Sequence, residues 1–211
     1  IISYMKKLPI HDVLEDIKTT LNTNSTLILE APPGAGKSTV VPISLLSQPW
    51  LEDKIIIMLE PRRVAARMVA VQMAKLLGEE VGQSVGYQVK MDSCYSKQTK
   101  LLVVTEAILV RKLQSDQALE DVAMVIFDEF HERSIHTDLS LALCLQVQEL
   151  LRPDLKLLIM SATLDSNELT NLLGKIPVIN SKGKIYDVEN IYLETNIKQP
   201  DIKSINTLLL N

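Results

Sequence analysis

Two segments of the sequence carry residues whose types and spacing suit phosphate chemistry. In the first, an apolar run leads into Gly34, Gly36, Lys37 and Ser38. Glycines lack a Cβ, so the backbone can turn tightly and present its N–H groups to phosphate oxygens at a helix N-terminus. A lysine can reach the β- and γ-phosphates, and a serine hydroxyl can ligate Mg²⁺. The predicted nucleotide-binding residues are Pro33, Gly34, Ala35, Gly36, Lys37, Ser38 and Thr39.

The first segment departs from the usual phosphate-loop pattern at one position. The pattern G-x-x-x-x-G-K-[ST] begins with glycine, whereas this chain has Ala31 there. Pro32 and Pro33 stiffen the start of the loop, and Gly34 can supply the flexibility instead. A buried strand is predicted before the loop and a helix after it, as the motif requires. The alternative, a chance glycine-rich turn, does not explain these flanks.

The second segment is an apolar strand that ends in acidic residues. Residues 122–127 are all apolar, which is typical of a central strand of a parallel sheet, and Asp128 and Glu129 follow at its carboxyl end. Asp128 is predicted to hold Mg²⁺ through water, and Glu129 to orient and deprotonate the attacking water. The predicted Mg²⁺ residues are Ser38, Asp128 and Glu129, partly through water. His131 is predicted to couple hydrolysis to movement beside the γ-phosphate. The alternative is a solvated acidic turn.

Composition narrows the class of protein. The chain has 211 residues, of which 46% are hydrophobic, and this indicates one globular domain with part of another. No apolar run approaches the roughly 20 residues of a membrane span. Cys94 and Cys144 lie in no zinc-type pattern, so a reducing, cytoplasmic compartment is expected. A net charge of −4 argues against sequence-blind binding of nucleic acid by the whole surface. The first residue is Ile1, which suggests a trimmed fragment.

Strand and helix patterns alternate along the chain. This order predicts an α/β fold with a mostly parallel sheet and helices on both faces. We expect one domain over residues 1–181, with residues 182–211 forming a linker and the start of a truncated second domain whose first strand is 188–193. The predicted strands are 26–30, 54–59, 81–90, 100–104, 122–127, 155–160 and 178–180, and the predicted helices are 10–21, 38–47, 62–77, 106–114, 140–151 and 164–173.

Six short elements of the sequence, taken in chain order, resemble motifs of the superfamily 2 DEAH-box (DExH) ATP-dependent helicases, most of all the bacterial HrpB-type group. Two positions differ from the family pattern: Phe130 replaces alanine in D-E-A-H, and Ala107 replaces the glycine of motif Ib. The elements are 31–39, 59–67, Val85-Gly86-Tyr87, Thr105-Glu106-Ala107, 128–134 and Ser161-Ala162-Thr163.

The resemblance implies a RecA-like first motor domain that hydrolyses ATP with Mg²⁺ and moves along single-stranded RNA or DNA. It implies that Arg62, Arg63 and Thr105 line the nucleic-acid track, and that Ser161 and Thr163 couple hydrolysis to strand movement. The simpler alternatives are a solvated helix start for the arginines and helix caps for Ser161 and Thr163. Gly86 and Tyr87 could equally be a plain turn and a core aromatic residue.

The resemblance also implies a second RecA-like domain that supplies an arginine finger, so the isolated chain should be nearly inactive. Two other functions stay open: a P-loop ATPase that uses ATP as a switch without unwinding, and a binding module that no longer hydrolyses nucleotide. Glu129 argues against the binding module. The elements at Arg62 and Ser161 argue against the switch.

Overall fold

The computed structural model describes residues 8–162 and 173–182, and within them an eight-stranded sheet is flanked by five α-helices. The strands are β1 (Thr26–Glu30), β2 (Ile55–Leu59), β3 (Val85–Val89), β4 (Asp92–Cys94), β5 (Leu101–Val104), β6 (Val122–Phe127), β7 (Lys156–Ser161) and β8 (Val178–Asn180). The helices are α1 (Leu14–Thr23), α2 (Lys37–Leu45), α3 (Arg63–Leu77), α4 (Glu106–Ser115) and α5 (Ile135–Leu150).

The strands lie in the order β4-β3-β5-β2-β6-β7-β1-β8. All neighbouring pairs run parallel except β3 and β4, which form an antiparallel hairpin. The carboxyl ends of the seven parallel strands therefore meet at one edge of the sheet. All six residues of the central strand β6 are buried, as expected for a strand covered on both faces.

Each face of the sheet packs against its own helices, because successive side chains of a strand point to opposite faces. On β2, Ile56 and Met58 join one apolar cluster while Ile57 and Leu59 join the other. The first cluster contains buried residues of α1, α2 and α3, and the second contains those of α4 and α5. The predicted α/β architecture with helices on both faces is confirmed.

The start of α5 differs from its prediction. The pattern predicts a helix over 140–151, but α5 begins at Ile135, and Ser134 caps it by accepting the Thr137 N–H at 3.0 Å. The apolar pattern does not reveal the first turn of α5, because its apolar residue Ile135 is 80% exposed and does not mark the buried face of the helix. A similar refinement applies near the N-terminus, where a 3-10 turn over Pro9–Asp12 precedes α1.

The single β-like piece predicted over 81–90 is a hairpin of β3 and β4. Gly86 is needed inside β3, because a Cβ there would lie 2.7 Å from the Cys94 carbonyl oxygen. Tyr87 is buried, and its hydroxyl donates to Asp92 at 3.2 Å, so it belongs to the core of the hairpin. The predicted helix residues 164–172 and the predicted strand 188–193 lie outside the described part of the chain.

Candidate active site

The carboxyl edge of the sheet gathers the candidate residues, because the ladders of hydrogen bonds continue past the strands. The Ala31 N–H donates to the Ser161 carbonyl at 3.0 Å, and the Asp128 N–H donates to the Leu59 carbonyl at 3.1 Å. The Glu60 N–H donates to the Val104 carbonyl at 2.9 Å. The segments after β1, β2, β5, β6 and β7 are thereby held side by side.

The phosphate loop connects β1 to α2. Gly34 and Gly36 have φ of 77° and 96°, a left-handed backbone that favours glycine, and Gly36 is the N-cap of α2. A Cβ on Gly36 would also lie 2.8 Å from a methyl group of Leu8. Ala31 is not among the residues with positive φ, so the backbone at this position does not require the glycine of the usual pattern.

The phosphate loop is hydrogen-bonded to the segment before α1, and its turn is exposed. The carbonyl of buried Ala35 accepts the Ile10 N–H at 3.2 Å, whereas Pro33 and Gly34 are exposed. Beyond the loop, Pro42 lies inside α2 and is buried. The loop thus presents its exposed turn at the N-terminus of α2, where anions are favoured.

Lys37 and Glu129 form an ion pair at this edge. The ammonium of Lys37, which is 5% exposed, lies 2.7 Å from Glu129 Oε1. Glu129 has a φ of 49°, a left-handed conformation that is unfavourable for a residue with a Cβ. The candidate phosphate-binding cation and the candidate general base are therefore in direct contact, although 92 positions separate them in the sequence.

Asp128 lies at the bottom of the site and is 3% exposed. Its Oδ1 accepts the Glu129 N–H at 2.9 Å. Its Oδ2 is buried and meets no donor in hydrogen-bond geometry among the described residues. Burial raises the pKa of Asp128, while the nearby Ser38 hydroxyl and the charge of Lys37 oppose this rise.

Glu60 faces Asp128 and was not predicted as a site residue. It is 3% exposed, and burial together with the negative charge of Asp128 raises the pKa of Glu60 to about 9. A protonated Glu60 can donate a hydrogen bond to Asp128, so the two carboxyls can lie together without mutual repulsion. The signal in the sequence is the position of Glu60 directly after a buried strand, which Asp128 shares.

The donor set fits Mg²⁺ bound together with phosphate oxygens. Hard oxygen donors converge here, namely the Ser38 hydroxyl and the Asp128 carboxylate with its orphaned oxygen, and Glu129 lies beside them. Within residues 8–162 and 173–182, no cluster of three or more His, Cys, Asp or Glu side chains is arranged to hold a metal ion. Mg²⁺ that enters with a nucleotide takes few of its ligands from protein side chains.

His131 lies between Glu129 and the end of β7. Its Nδ1 atom is 3.4 Å from Glu129 Oε2 and 3.4 Å from the Ala162 backbone nitrogen. Nδ1 can accept the Ala162 N–H or, when it carries a proton, donate to Glu129, but it cannot do both. Ser161 is buried at the end of β7, and Thr163 lies outside the described residues.

The candidate nucleic-acid residues follow neighbouring strands of the same edge. Arg62 is exposed, and its guanidinium lies 2.7 Å from Glu132 Oε1. Arg63 donates to the Lys90 carbonyl at 2.8 Å, which joins the start of α3 to the tip of the β3–β4 hairpin. Thr105 is the N-cap of α4 and makes no capping hydrogen bond through its side chain.

A cavity of about 250 Å³ opens beside the ion pair. It lies between the phosphate loop, the segment after β2 and the face of α3 that is turned toward them. Its lining combines charged and polar groups with apolar side chains. The lining residues are Ser38, Glu60, Pro61, Arg62, Ala65, Val69, Glu129 and Glu132.

Comparison with known proteins places this geometry in a family. A family model described as DEAD/DEAH box helicase matches residues 13–172. The chain is 50% identical over 189 residues to the ATP-dependent RNA helicase HrpB of Escherichia coli (strain K12), which covers 90% of this chain and 23% of that protein. It is 33% identical over 212 residues to the DExH-box ATP-dependent RNA helicase DExH1 of Arabidopsis thaliana, which covers 94% of this chain and 21% of that protein.

A solved structure gives the same result for the fold. The crystal structure of the Escherichia coli DEAH/RHA helicase HrpB matches with a TM-score of 0.84 at 46% identity, over 96% of this chain and 26% of that one. The predicted RecA-like fold and the predicted helicase family are both confirmed. The chain spans about a quarter of the length of these relatives. None of the described helices is long and apolar enough to cross a membrane. The matched family model and the matched structure together show that the chain belongs to the DEAD/DEAH box helicase family.

Proposed function

We propose that this chain is the ATP-binding motor domain of an ATP-dependent RNA helicase. The observation that carries the proposal is the convergence of Lys37, Ser38, Asp128 and Glu129 at one edge of the sheet, with Lys37 paired to Glu129 at 2.7 Å. RNA is favoured over DNA because the relatives described above are named as RNA helicases. The two free cysteines fit a protein of the cytoplasm.

The phosphate loop binds the triphosphate. Its N–H groups and the N-terminus of α2 receive the phosphate oxygens, and Gly34 and Gly36 let the backbone approach them closely. Lys37 turns from Glu129 to the β- and γ-phosphates. Ala35 and Thr39 complete the loop through their backbone N–H groups, and Pro33, which has none, fixes the backbone of the turn.

Glu129 is then released to act as the base. Without nucleotide, its carboxylate is neutralised by Lys37. Once Lys37 binds phosphate, Glu129 can orient the attacking water and take its proton. Binding of the substrate therefore produces the free carboxylate that the hydrolysis needs.

Ser38 and Asp128 hold Mg²⁺, with Glu129 contributing through water. When bound, the ion neutralises charge on the β- and γ-phosphate oxygens. Asp128 keeps one oxygen fixed by the Glu129 N–H and presents its orphaned Oδ2. Ser38 lies at the start of α2, and its hydroxyl would be a second ligand.

His131 and the end of β7 link hydrolysis to movement. His131 Nδ1 lies 3.4 Å from both Glu129 Oε2 and the Ala162 nitrogen, and it can hydrogen-bond to only one of them at a time. A change in the hydrogen bonding of Glu129 therefore alters the hydrogen bond that His131 offers to the segment after β7. We assign Ser161 and Thr163 in this segment to coupling.

The nucleic-acid track runs over the segments after β2 and β5. Arg62, Arg63 and Thr105 contact the phosphates of a single strand, and such contacts position the strand without reading its sequence. The tip of the β3–β4 hairpin extends this track, because Arg63 holds the carbonyl of exposed Lys90 and Met91 beside it is 94% exposed. Lys90 adds a positive charge for the same backbone.

The other half of the motor is a second RecA-like domain. We assign residues 1–181 to the first domain and 182–211 to a linker and the start of the second. The second domain supplies an arginine finger and the opposite wall of the track.

Steady-state hydrolysis by the complete protein tests the proposal. We expect ATPase activity that rises when single-stranded RNA is added, with inorganic phosphate release as the readout. The control is the same assay with single-stranded DNA of equal length and with RNA duplex. Hydrolysis that no nucleic acid changes would contradict the helicase proposal and favour an ATPase switch.

A further inference from the structure

Glu106 joins the start of two helices next to the candidate site. It is the first residue of α4 and follows Thr105 directly. Its Oε1 atom accepts a hydrogen bond from the Ser134 hydroxyl at 2.9 Å and another from the Thr137 hydroxyl. The two hydroxyls are themselves 2.9 Å apart, and Ser134 Oγ also accepts the Thr137 N–H. One carboxylate oxygen therefore binds the cap and the first turn of α5.

A carboxylate suits this position for electrostatic reasons. Glu106 lies in the first turn of α4 and against the first turn of α5, and both helix N-termini favour negative charge. Hydrogen bonds to a charged acceptor are stronger than those between neutral groups. Thr137 is only 9% exposed, so little water is present to replace the bond. The starts of α4 and α5 are thus fixed relative to each other.

The loop that carries Glu129 and His131 ends at this point. It runs from Asp128 to Ser134, and two of its residues, Glu129 and Arg133, have φ of 49° and 36°. Non-glycine residues remain in such conformations only where the surroundings hold them. Glu106 holds the end of the loop through Ser134.

A second contact holds the same loop from the same side. Arg62 pairs with Glu132 at 2.7 Å, and Arg62 belongs to the segment after β2. The contacts of Arg62 and Glu106 therefore come from the two segments that carry the candidate nucleic-acid residues. The geometry connects the proposed track to the loop of the proposed base.

We propose that Glu106 is a positioning residue for hydrolysis. It fixes the loop that carries Glu129 relative to Thr105, so that a strand bound at Thr105 holds the general base in its working position. Glu106 itself touches neither ATP nor nucleic acid. The inference rests on the proposed function, because it requires hydrolysis that nucleic acid stimulates.

The test compares variants of the complete protein in RNA-stimulated ATP hydrolysis. Glu106→Ala should lower the stimulated kcat by roughly tenfold or more, as expected for a misplaced catalytic group, with KM for ATP and RNA affinity within about threefold. Thr137→Val removes one hydroxyl at nearly constant shape and should lower kcat in the same way. Thr137→Ser keeps the hydroxyl and should have a kcat close to that of the wild type. Lys112→Ala is the matched control, since it removes the Lys112–Asp121 pair at 2.8 Å at the far end of α4.

The outcomes separate this inference from the proposed function. A wild-type enzyme without RNA stimulation would refute both. A stimulated wild type with an unchanged kcat in Glu106→Ala would refute the role of Glu106 alone. The role of Glu106 would also be refuted if Lys112→Ala lowered kcat as much as Glu106→Ala, because the effect would then reflect a general destabilisation of α4. Equal loss in Glu106→Ala and Thr137→Val, with no further loss when they are combined, would support the inference.

Discussion

The ion pair between Lys37 and Glu129 joins the proposed phosphate-binding cation to the proposed general base. It neutralises the proposed base, and it occupies the cation that the phosphates need. A nucleotide must therefore exchange one anionic partner of Lys37 for another. The loss of the Lys37–Glu129 pair should therefore reduce the net free energy of ATP binding.

Lys37→Ala should weaken Mg·ATP binding to the chain by about tenfold or more, which corresponds to about 1.4 kcal/mol. The reason is the loss of the main side-chain charge against the β- and γ-phosphates. Titration calorimetry measures the affinity directly. Lys54→Ala is the matched control, because Lys54 pairs with Asp154 at 3.3 Å and precedes β2 at the opposite edge of the sheet. Equal affinities of Lys37→Ala and wild type would contradict the phosphate-loop assignment.

Glu129→Gln in the complete protein should separate binding from chemistry. The amide cannot take a proton, so turnover should fall by roughly 100-fold. The affinity for ATP should remain within a few-fold, because the phosphate contacts are kept; any change should be toward tighter binding, since the neutral amide competes less for Lys37. Phosphate release and nucleotide titration on the same preparation give both values. Retained turnover would show that another group is the base.

Glu60 should make the free energy of unfolding of the metal-free domain depend on pH. Its pKa in the folded state is about 9, above its ordinary value of 4.5, so the folded state binds the proton more tightly than the unfolded state. The stability from this group is fully present below pH 4.5 and is lost as the pH rises through about 9. Denaturant unfolding in a metal chelator should therefore show a smaller decline toward pH 9 for Glu60→Gln than for wild type.

The matched control for this pH series is Glu149→Gln, which removes an exposed carboxylate of α5. Its pH dependence should match wild type. A Glu60→Gln curve that runs parallel to wild type over the whole range would show that Glu60 is ionised in the folded protein.

The sequence predicts those site residues whose chemistry is carried by a short local pattern. Lys37 and Ser38 follow from the glycine loop, and Asp128 and Glu129 follow from the apolar strand before them. Glu60 and Glu106 were missed as site residues, because their partners are far away in the sequence. Glu60 meets Asp128 only through the pairing of β2 with β6, and Glu106 meets α5 only through helix packing.

At the level of elements, the connection from β1 to α2 depends on two glycines with different surroundings. Both Gly34 and Gly36 have positive φ, but a Cβ on Gly34 meets nothing within 4 Å, while one on Gly36 lies 2.8 Å from Leu8. Substitution by alanine should therefore destabilise the protein by different amounts at the two positions.

Gly34→Ala should cost about 1–2 kcal/mol of unfolding free energy, the usual cost of a left-handed backbone for alanine. Gly36→Ala should cost more, because it adds the collision with Leu8 and changes the N-cap of α2. Denaturant unfolding of the two variants and wild type gives the comparison. A larger loss in Gly34→Ala would contradict the described packing of the loop.

Strands with continuous apolar runs are the elements that the sequence predicts best. The predicted bounds of β1, β6 and β8 agree with the structure, because each run is flanked by polar or turn-forming residues. The strand β4 was missed, since Asp-Ser-Cys has neither apolar alternation nor β-branched side chains. The first turn of α5 was missed because it exposes Ile135 instead of burying it.

At the level of the whole molecule, the candidate site lies at one edge of the sheet. The phosphate loop, the proposed metal carboxylate and the proposed base lie together there, beside a cavity of about 250 Å³. The chain spans about a quarter of the length of its relatives, and we propose that the remaining parts of the motor lie outside residues 1–181. The domain boundary near residue 181 stays a prediction.

The isolated 211-residue chain should bind ATP and yet hydrolyse it near background, with no response to RNA. An arginine finger is worth about 10³-fold or more in related phosphoryl-transfer enzymes, and we expect it on the second domain. Steady-state phosphate release by the chain and by the complete protein gives the comparison. Strong RNA-stimulated hydrolysis by the chain would show that no second domain is required.

The two outer strands of the sheet have a consequence for handling the protein. The strands β4 and β8 are each three residues long, and β4 exposes Asp92 and Ser93. Long, flat, apolar edges invite strands of other molecules to add on, whereas short and charged edges discourage this. The described sheet is therefore poorly suited to template aggregation at either border. This property favours purification at the high concentrations that calorimetry and crystallisation require.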